Sequence, residues 1–263
     1  MFPVLFKIGP LTLHTYGLLV AIGVFVGMRM IITLAALDGY SGKEFEDSLY
    51  NLFLLFAISG LAGGRALYVI LNWREFVGDL AGIFKVWQGG LVSYGGLLGA
   101  FTGFFIWTRK NKNMPWKKIC DWFSPSLAFG HALGRLGCLF AGCCYGKPTQ
   151  GPLGIIFTDP QSLAPLGIPL HPTQIYEFMF LVLLGTFLLR KTINATKSTS
   201  RTDGNIFVLY LAFYSAGRFL IEFLRGDDPR VWGLTPGQMA SILTFAFSIS
   251  MRVWLTKKQA IRS

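Results

Sequence analysis

The chain has 263 residues, of which 52% are hydrophobic, 15% aromatic and only 14% charged, against the roughly 25% charged residues of a soluble domain. That balance excludes an ordinary soluble fold, which at this length needs more polar surface. The formal net charge of +11 raises a nucleic-acid reading, which the placement of the charges then decides.

Apolar spans are predicted, in chain order, at 11–37, 49–71, 91–108, 119–139, 173–189, 205–224 and 237–255, each close to the roughly 20 residues that cross a bilayer. The first has no basic region ahead of it and is long enough to cross, so it reads as a retained span rather than a cleaved signal. Glycines recur every four residues in several spans (Gly23/Gly27, Gly60/Gly64, Gly95/Gly99/Gly103, Gly130/Gly134), which predicts flat stripes where helices approach closely. The segment 140–172 is rich in Gly and Pro and predicts a small head with little regular structure. Pro172 suits a first helical position, and Thr235-Pro236-Gly237-Gln238 suits a helix start with Thr235 as its cap. The fold class is therefore all-α: a transmembrane bundle of about seven spans, one domain over 1–263 with 140–172 as its head.

Lys and Arg sort by loop. Lys43, then Arg109, Lys110, Lys112, Lys117 and Lys118, then Arg190, Lys191, Lys197 and Arg201, and finally Arg252, Lys257, Lys258 and Arg262 fall on one side, fourteen of the 24. Lys7, Arg74, Lys85, Lys147, Arg225 and Arg230, six residues, fall on the other. This asymmetry predicts an extracytoplasmic N-terminus and a cytoplasmic C-terminus. The positive charge then serves orientation and anionic lipid headgroups, and no nucleic-acid partner is expected.

The remaining four, Arg29, Arg65, Arg135 and Arg218, lie inside spans, where a central Arg costs about 2.5–3.5 kcal/mol and needs a partner or a function. Arg29 sits near a span end and can snorkel. The other three are deeper, each preceded by glycine. His131, Arg135 and Cys138 share one helical face, and Tyr214, Arg218, Glu222 and Arg225 share another. An internal pair of Arg218 with Glu222 would neutralise part of that stripe, but one carboxylate cannot neutralise Arg65, Arg135, Arg218 and Arg225 together. The surplus calls for an anion, and in a membrane the abundant anion with apolar tails is a phospholipid, whose phosphate suits the planar fork of Arg.

The stretches His14-Thr15-Tyr16-Gly17, Gly63-Gly64-Arg65-Ala66-Leu67-Tyr68, Gly89-Gly90-Leu91-Val92-Ser93-Tyr94-Gly95-Gly96, Gly134-Arg135-Leu136-Gly137-Cys138 with Gly142 and Gly146, His171-Pro172-Thr173-Gln174-Ile175-Tyr176-Glu177, and Gly217-Arg218-Phe219-Leu220-Ile221-Glu222-Phe223-Leu224-Arg225 closely resemble, in this order, the bacterial prolipoprotein diacylglyceryl transferase family. The resemblance implies a seven-span enzyme of the bacterial plasma membrane, with its site toward the extracytoplasmic side. Such an enzyme takes the diacylglyceryl group of phosphatidylglycerol, attaches it by a thioether to the lipobox Cys of a prolipoprotein and releases glycerol phosphate. It also implies Arg135 and Arg218 as phosphate binders, Glu222 as the partner orienting Arg218, and Tyr16 as a polar contact near the headgroup. Arg65, Tyr214, Arg225, Gln174 and Glu177 follow as further substrate-binding candidates, and no cofactor is implied.

Two departures stand out. Many members of the family carry His where this chain has Tyr94, and that His has been proposed as the base for the thiol; Tyr, with an ordinary pKa near 10, is a poor base at neutral pH. Tyr94 is expected to donate a hydrogen bond, leaving the thiol proton to water, Glu222 or the departing phosphate. The same departure would suit a non-catalytic or altered-substrate lipid-binding paralogue. Cys138, Cys143 and Cys144 are the second departure. They match no recognised metal-ligand spacing, so small apolar packing is expected and no metal. A transporter is disfavoured by the lack of an inverted repeat or a matched pair of broken helices.

Overall fold

The computed structural model describes residues 2–9, 11–198, 202–226 and 232–260; Arg201, Arg230 and Arg262 of the charge count lie outside them. Among the described residues are seven α-helices: α1 (Thr15–Leu37), α2 (Lys43–Leu71), α3 (Ser93–Lys110), α4 (Trp116–Ala141), α5 (Thr173–Thr196), α6 (Asn205–Glu222) and α7 (Pro236–Ala260). Each corresponds to one predicted span. Four of them, α1, α2, α5 and α7, are long and apolar enough to cross a membrane. Only 11% of the apolar window of α2 and 17% of that of α7 are buried within the protein, so their apolar surfaces face outward as lipid-facing helices require.

The boundaries moved where charge or backbone pairing overrides hydropathy. The predicted first span starts too early: Leu11–His14 is a strand, β2, paired antiparallel with β1 (Val4–Ile8) through a turn that includes Gly9 at φ +57°. Helix α1 starts only at Thr15, whose N–H donates to the Pro3 carbonyl at 3.0 Å. Conversely α2 begins at Lys43 rather than 49, because Glu44 and Glu46 in its first turn suit a helix N-terminus despite their polarity. Helix α5 likewise runs on to Thr196 through Arg190 and Lys191.

The chain forms two compact units. The unit of residues 40–116 holds α2 and α3. These cross where Gly95 and Gly99 of α3 meet the backbone of Ser59 and Gly63, so closely that a methyl group on any of these glycines would overlap a carbonyl. Three short 3₁₀ turns (Trp73–Phe76, Leu80–Phe84, Val86–Gln88) connect the two helices. Asp79 caps the second turn by accepting from Gly82 N–H at 3.0 Å. The hydrogen bond from Lys85, with that from Gly82, holds the Asp79 carboxyl below its usual range.

The other unit, residues 1–39 with 117–263, holds the remaining helices. Helices α1 and α4 approach at Gly23 and Gly130. Ala128 of α4, Leu184 and Leu188 of α5, and Ile206 and Tyr210 of α6 form one buried cluster. Asp121 of α4 is fully buried and caps α6, accepting from Gly204 N–H at 2.8 Å and Phe207 N–H at 2.9 Å. A buried carboxylate is tolerable there because a helix N-terminus carries unpaired donors and a positive dipole end. The 142–172 segment has only two-residue strands, β3 (Ile155–Ile156) and β4 (Pro169–Leu170), over a small core of Phe157, Ala164 and Leu170.

Candidate active site

Within the larger unit, four helices bring their polar residues together. Glu177 lies one turn into α5, its side chain 3% exposed. Its Oε1 stands 3.0 Å from the Arg135 guanidinium of α4 as an ion pair, and its Oε2 accepts a hydrogen bond from Arg218 of α6 at 3.3 Å. The second terminal nitrogen of Arg218 reaches Glu222 Oε2 at 2.8 Å. The other Glu222 oxygen accepts from the Thr235 hydroxyl at 2.7 Å, and Arg225 Nε stands 3.8 Å from the carboxylate. The array continues past Arg135, whose Nε–H donates to His131 Nε2 at 3.2 Å.

The start of α7 completes the site. Thr235 Oγ1 accepts from Gln238 N–H at 3.1 Å while Gln238 Oε1 accepts from Thr235 N–H at 3.1 Å, the reciprocal cap foreseen from Thr-Pro-Gly-Gln. The same hydroxyl donates to Glu222, so the cap also positions the site. A side chain at Gly237 would collide with Glu222 Oε1 and press on Arg218.

Donor counting separates the arginines. A guanidinium has five N–H groups. Among the described residues, Arg135 contacts His131, Glu177 and the Tyr214 side chain, and Arg218 contacts Glu177 and Glu222, so neither set of five donors is exhausted. Arg65, in the smaller unit, is spent: its nitrogens donate to the carbonyls of Gly82, Ile83, Gly89 and Gly90 at 2.6–3.1 Å. Its guanidinium also lies 5.5 Å from the centroids of Tyr68 and Phe76. It ties the 3₁₀ loop to α2, and the substrate-binding place expected for it has little donor capacity left.

The other candidates fall as follows. Tyr214 packs its ring on His131, 5.4 Å between centroids, and on Tyr210. Gln174, 1% exposed, spends its amide N–H on the Cys143 carbonyl at 2.8 Å, which makes it a support for the head. Arg225 bridges to Gly146 through the backbone as well as reaching Glu222. Tyr16, 45% exposed in the first turn of α1, lies against Gly137 of α4. Tyr94 belongs to the smaller unit, half exposed in the first turn of α3. In the head, hydrogen bonds from Cys138 and Cys143, with the fields of Arg135 and Arg225, draw the Cys144 thiol well below its ordinary range.

Two features exceed the expectation. Glu177 is a second counter-ion, so the positive surplus is smaller than Glu222 alone would leave: among the described residues, this array sets three guanidiniums against two carboxylates. His131 enters as a partner of Arg135, a role whose one signal in the sequence is its place four residues before that arginine.

A helical chain with four helices long and apolar enough to cross a bilayer has the build of a helical membrane protein. The family model described as prolipoprotein diacylglyceryl transferase matches residues 3–254, and the chain belongs to that family. It is 38% identical over 251 residues to the phosphatidylglycerol–prolipoprotein diacylglyceryl transferase of Clostridium tetani, covering 95% of this chain and 96% of that one. A Clostridium perfringens protein of the same name, numbered 2, is 38% identical over 91% of this chain and 90% of its own. The Vibrio cholerae enzyme of that name is 34% identical over 97% of this chain and 92% of its own.

Proposed function

We propose that this protein transfers the diacylglyceryl group of phosphatidylglycerol to the thiol of the lipobox cysteine of prolipoproteins, the activity in the names of its relatives. The observation that carries the reading at the site is the Glu177 carboxylate joining Arg135 to Arg218: two guanidiniums from different helices, held together and each with free donors. A phosphate oxygen placed there would meet charge-assisted N–H groups already aimed.

In the reaction a carbon–sulphur bond forms as the carbon–oxygen bond to phosphate breaks. The leaving glycerol phosphate takes the electron pair. Arg135 and Arg218 hold the phosphate as its charge grows. Glu222 and Thr235 orient Arg218, and Glu177 positions both arginines rather than touching substrate, since a carboxylate would repel the phosphate. Tyr16 supplies a hydrogen bond near the headgroup, and Tyr94, on the family resemblance alone, is assigned a hydrogen-bond-donor role. The thiol, with an ordinary pKa near 8.5, loses its proton to water, Glu222 or the departing phosphate.

The chain acts as one catalytic domain of about seven spans in the bacterial plasma membrane. Its N-terminus and the 140–172 head lie outside and its C-terminus inside, as the loop charges favour. Its partners are phosphatidylglycerol, lipobox peptides and membrane lipid, with no nucleic acid. Purified protein given labelled phosphatidylglycerol and a lipobox peptide should yield thioether-linked diacylglyceryl peptide and glycerol phosphate. Folded protein that binds the lipid and makes neither product would instead be the non-catalytic paralogue that Tyr94 leaves open.

A further inference from the structure

Cys138, Cys143 and Cys144 take no part in the chemistry above, yet the fold gathers them. Their three sulphurs all lie within 4.8 Å of one another. Cys138 comes from the last turn of α4, and the other two from the turn that follows. Gly142, at φ +76°, ends the helix, and Cys143 N–H donates back to the Cys138 carbonyl at 3.1 Å. Cys144 then adopts φ +60°, a left-handed conformation that residues with a Cβ seldom take. In extended chain, adjacent side chains point to opposite sides; this kink lets two neighbouring cysteines face the same third one.

The turn is also held from outside. The Thr173 hydroxyl donates to the Cys144 carbonyl at 2.7 Å and the Gln174 amide to the Cys143 carbonyl at 2.8 Å, both from the first turn of α5. A ligand-bearing loop fixed by such outer hydrogen bonds is what metal sites use to set ligand direction. Packing alone asks for none of this: small apolar contact neither requires three sulphurs to converge nor a strained residue to bring the third one in.

We infer that Cys138, Cys143 and Cys144 form a three-thiolate site for a soft d10 metal ion, of the zinc or copper(I) class. Thiolates select such ions over hard cations. Three sulphurs at 2.3 Å from a tetrahedral zinc stand about 3.8 Å apart, so each pair, within 4.8 Å in this fold, closes by about 1 Å or less. Cys143 and Cys144 are partly exposed while Cys138 is buried, which gives the ion a path from the head side and leaves a fourth position for water or an added ligand. The site stands independently of the transferase reading.

The test uses full-length protein in nanodiscs, reduced and kept under nitrogen, titrated with cadmium as the probe. One ion per chain should bind, with a near-ultraviolet sulphur-to-metal charge-transfer band of three-thiolate intensity. Cys138→Ser, Cys143→Ser and Cys144→Ser should each weaken binding at least tenfold, and Cys120→Ser should leave it unchanged. Because a serine variant can fail to fold, alkylation mapped by mass spectrometry on the unaltered protein provides a second reading: cadmium should protect all three cysteines together. The inference is overturned by labelling that saturating cadmium does not alter, by a band that survives in the Cys143→Ser/Cys144→Ser double variant, or by binding only at large metal excess. It is equally overturned by a Cys138–Cys143 disulfide in place of three thiols when the protein is purified without reductant.

Discussion

Replacing Glu177 by Gln keeps the shape and removes the charge that joins the two arginines. In the native array its oxygens lie 3.0 Å from Arg135 and 3.3 Å from Arg218, with the side chain 3% exposed, so solvent screens these contacts little. A charge-assisted hydrogen bond contributes about 1.5–3 kcal/mol, and breaking a buried ion pair from one side costs about 3–5 kcal/mol. Gln also turns one amide N–H₂ group toward a guanidinium, donor against donor, so one arginine must swing away. A displacement of about 1 Å at a reacting group can cost about a hundredfold in rate. The expected result is therefore a fall in kcat of about a hundredfold. KM for phosphatidylglycerol should stay the same or fall, because a negative charge has left the neighbourhood of the phosphate. Initial rates with labelled lipid and lipobox peptide give both constants, and the thermal midpoint in detergent should drop in parallel. If KM rose tenfold while kcat held, Glu177 would be touching substrate directly and its positioning role would be refuted.

Arg218→Lys keeps the charge but loses the planar fork, so turnover should fall about tenfold to a thousandfold, while Arg29→Lys, near a helix end, should be tolerated; normal turnover in folded Arg218→Lys would end the phosphate assignment. Gly237→Ala places a methyl group 2.6 Å from Glu222 Oε1 and 3.4 Å from an Arg218 terminal nitrogen, and should reduce activity more than Gly78→Ala, where the methyl group meets open space; equal effects would show that the approach of α7 to Glu222 is dispensable. In a cysteine-labelling scan, positions in 109–118 and 190–203 should react only from the cytoplasm and 140–170 only from outside, the reverse pattern defeating the proposed orientation. Tyr94→Phe should lower the rate by the equivalent of about 0.5–1.5 kcal/mol for a lost neutral hydrogen bond; a 10²- to 10⁴-fold loss together with the alkaline limb of the pH–rate profile would make Tyr94 the base instead.

The helices were legible because hydropathy and helix length coincide in a bilayer, and the caps at Thr235 and near Pro172 because local chemistry dictates them. The misplaced edges share one cause. Hydropathy marks the apolar stretch of a helix, whereas backbone hydrogen bonds mark its whole extent, so charged first turns such as that of α2 lie outside the apolar window. The N-terminal hairpin failed for a related reason, since five-residue apolar runs satisfy a span pattern and a strand pattern equally.

The site shows where reasoning along one helix ends. Periodicity pairs residues three and four apart, so Arg218 with Glu222, and His131 with Arg135, could be read directly. Glu177 lies on α5, and no spacing rule joins it to Arg135 on α4 or to Arg218, 41 residues away. Arg65 makes the complementary point: depth in an apolar span and a glycine neighbour mark it just as they mark Arg135. What separates them is where nearby carbonyls go. The loop after α2 turns the carbonyls of Gly82, Ile83, Gly89 and Gly90 toward Arg65, and those absorb its donors, while the partners of Arg135 among the described residues are side chains. A buried arginine is thus a functional candidate only after its donors have been counted against the unpaired carbonyls around it, a quantity that tertiary structure sets.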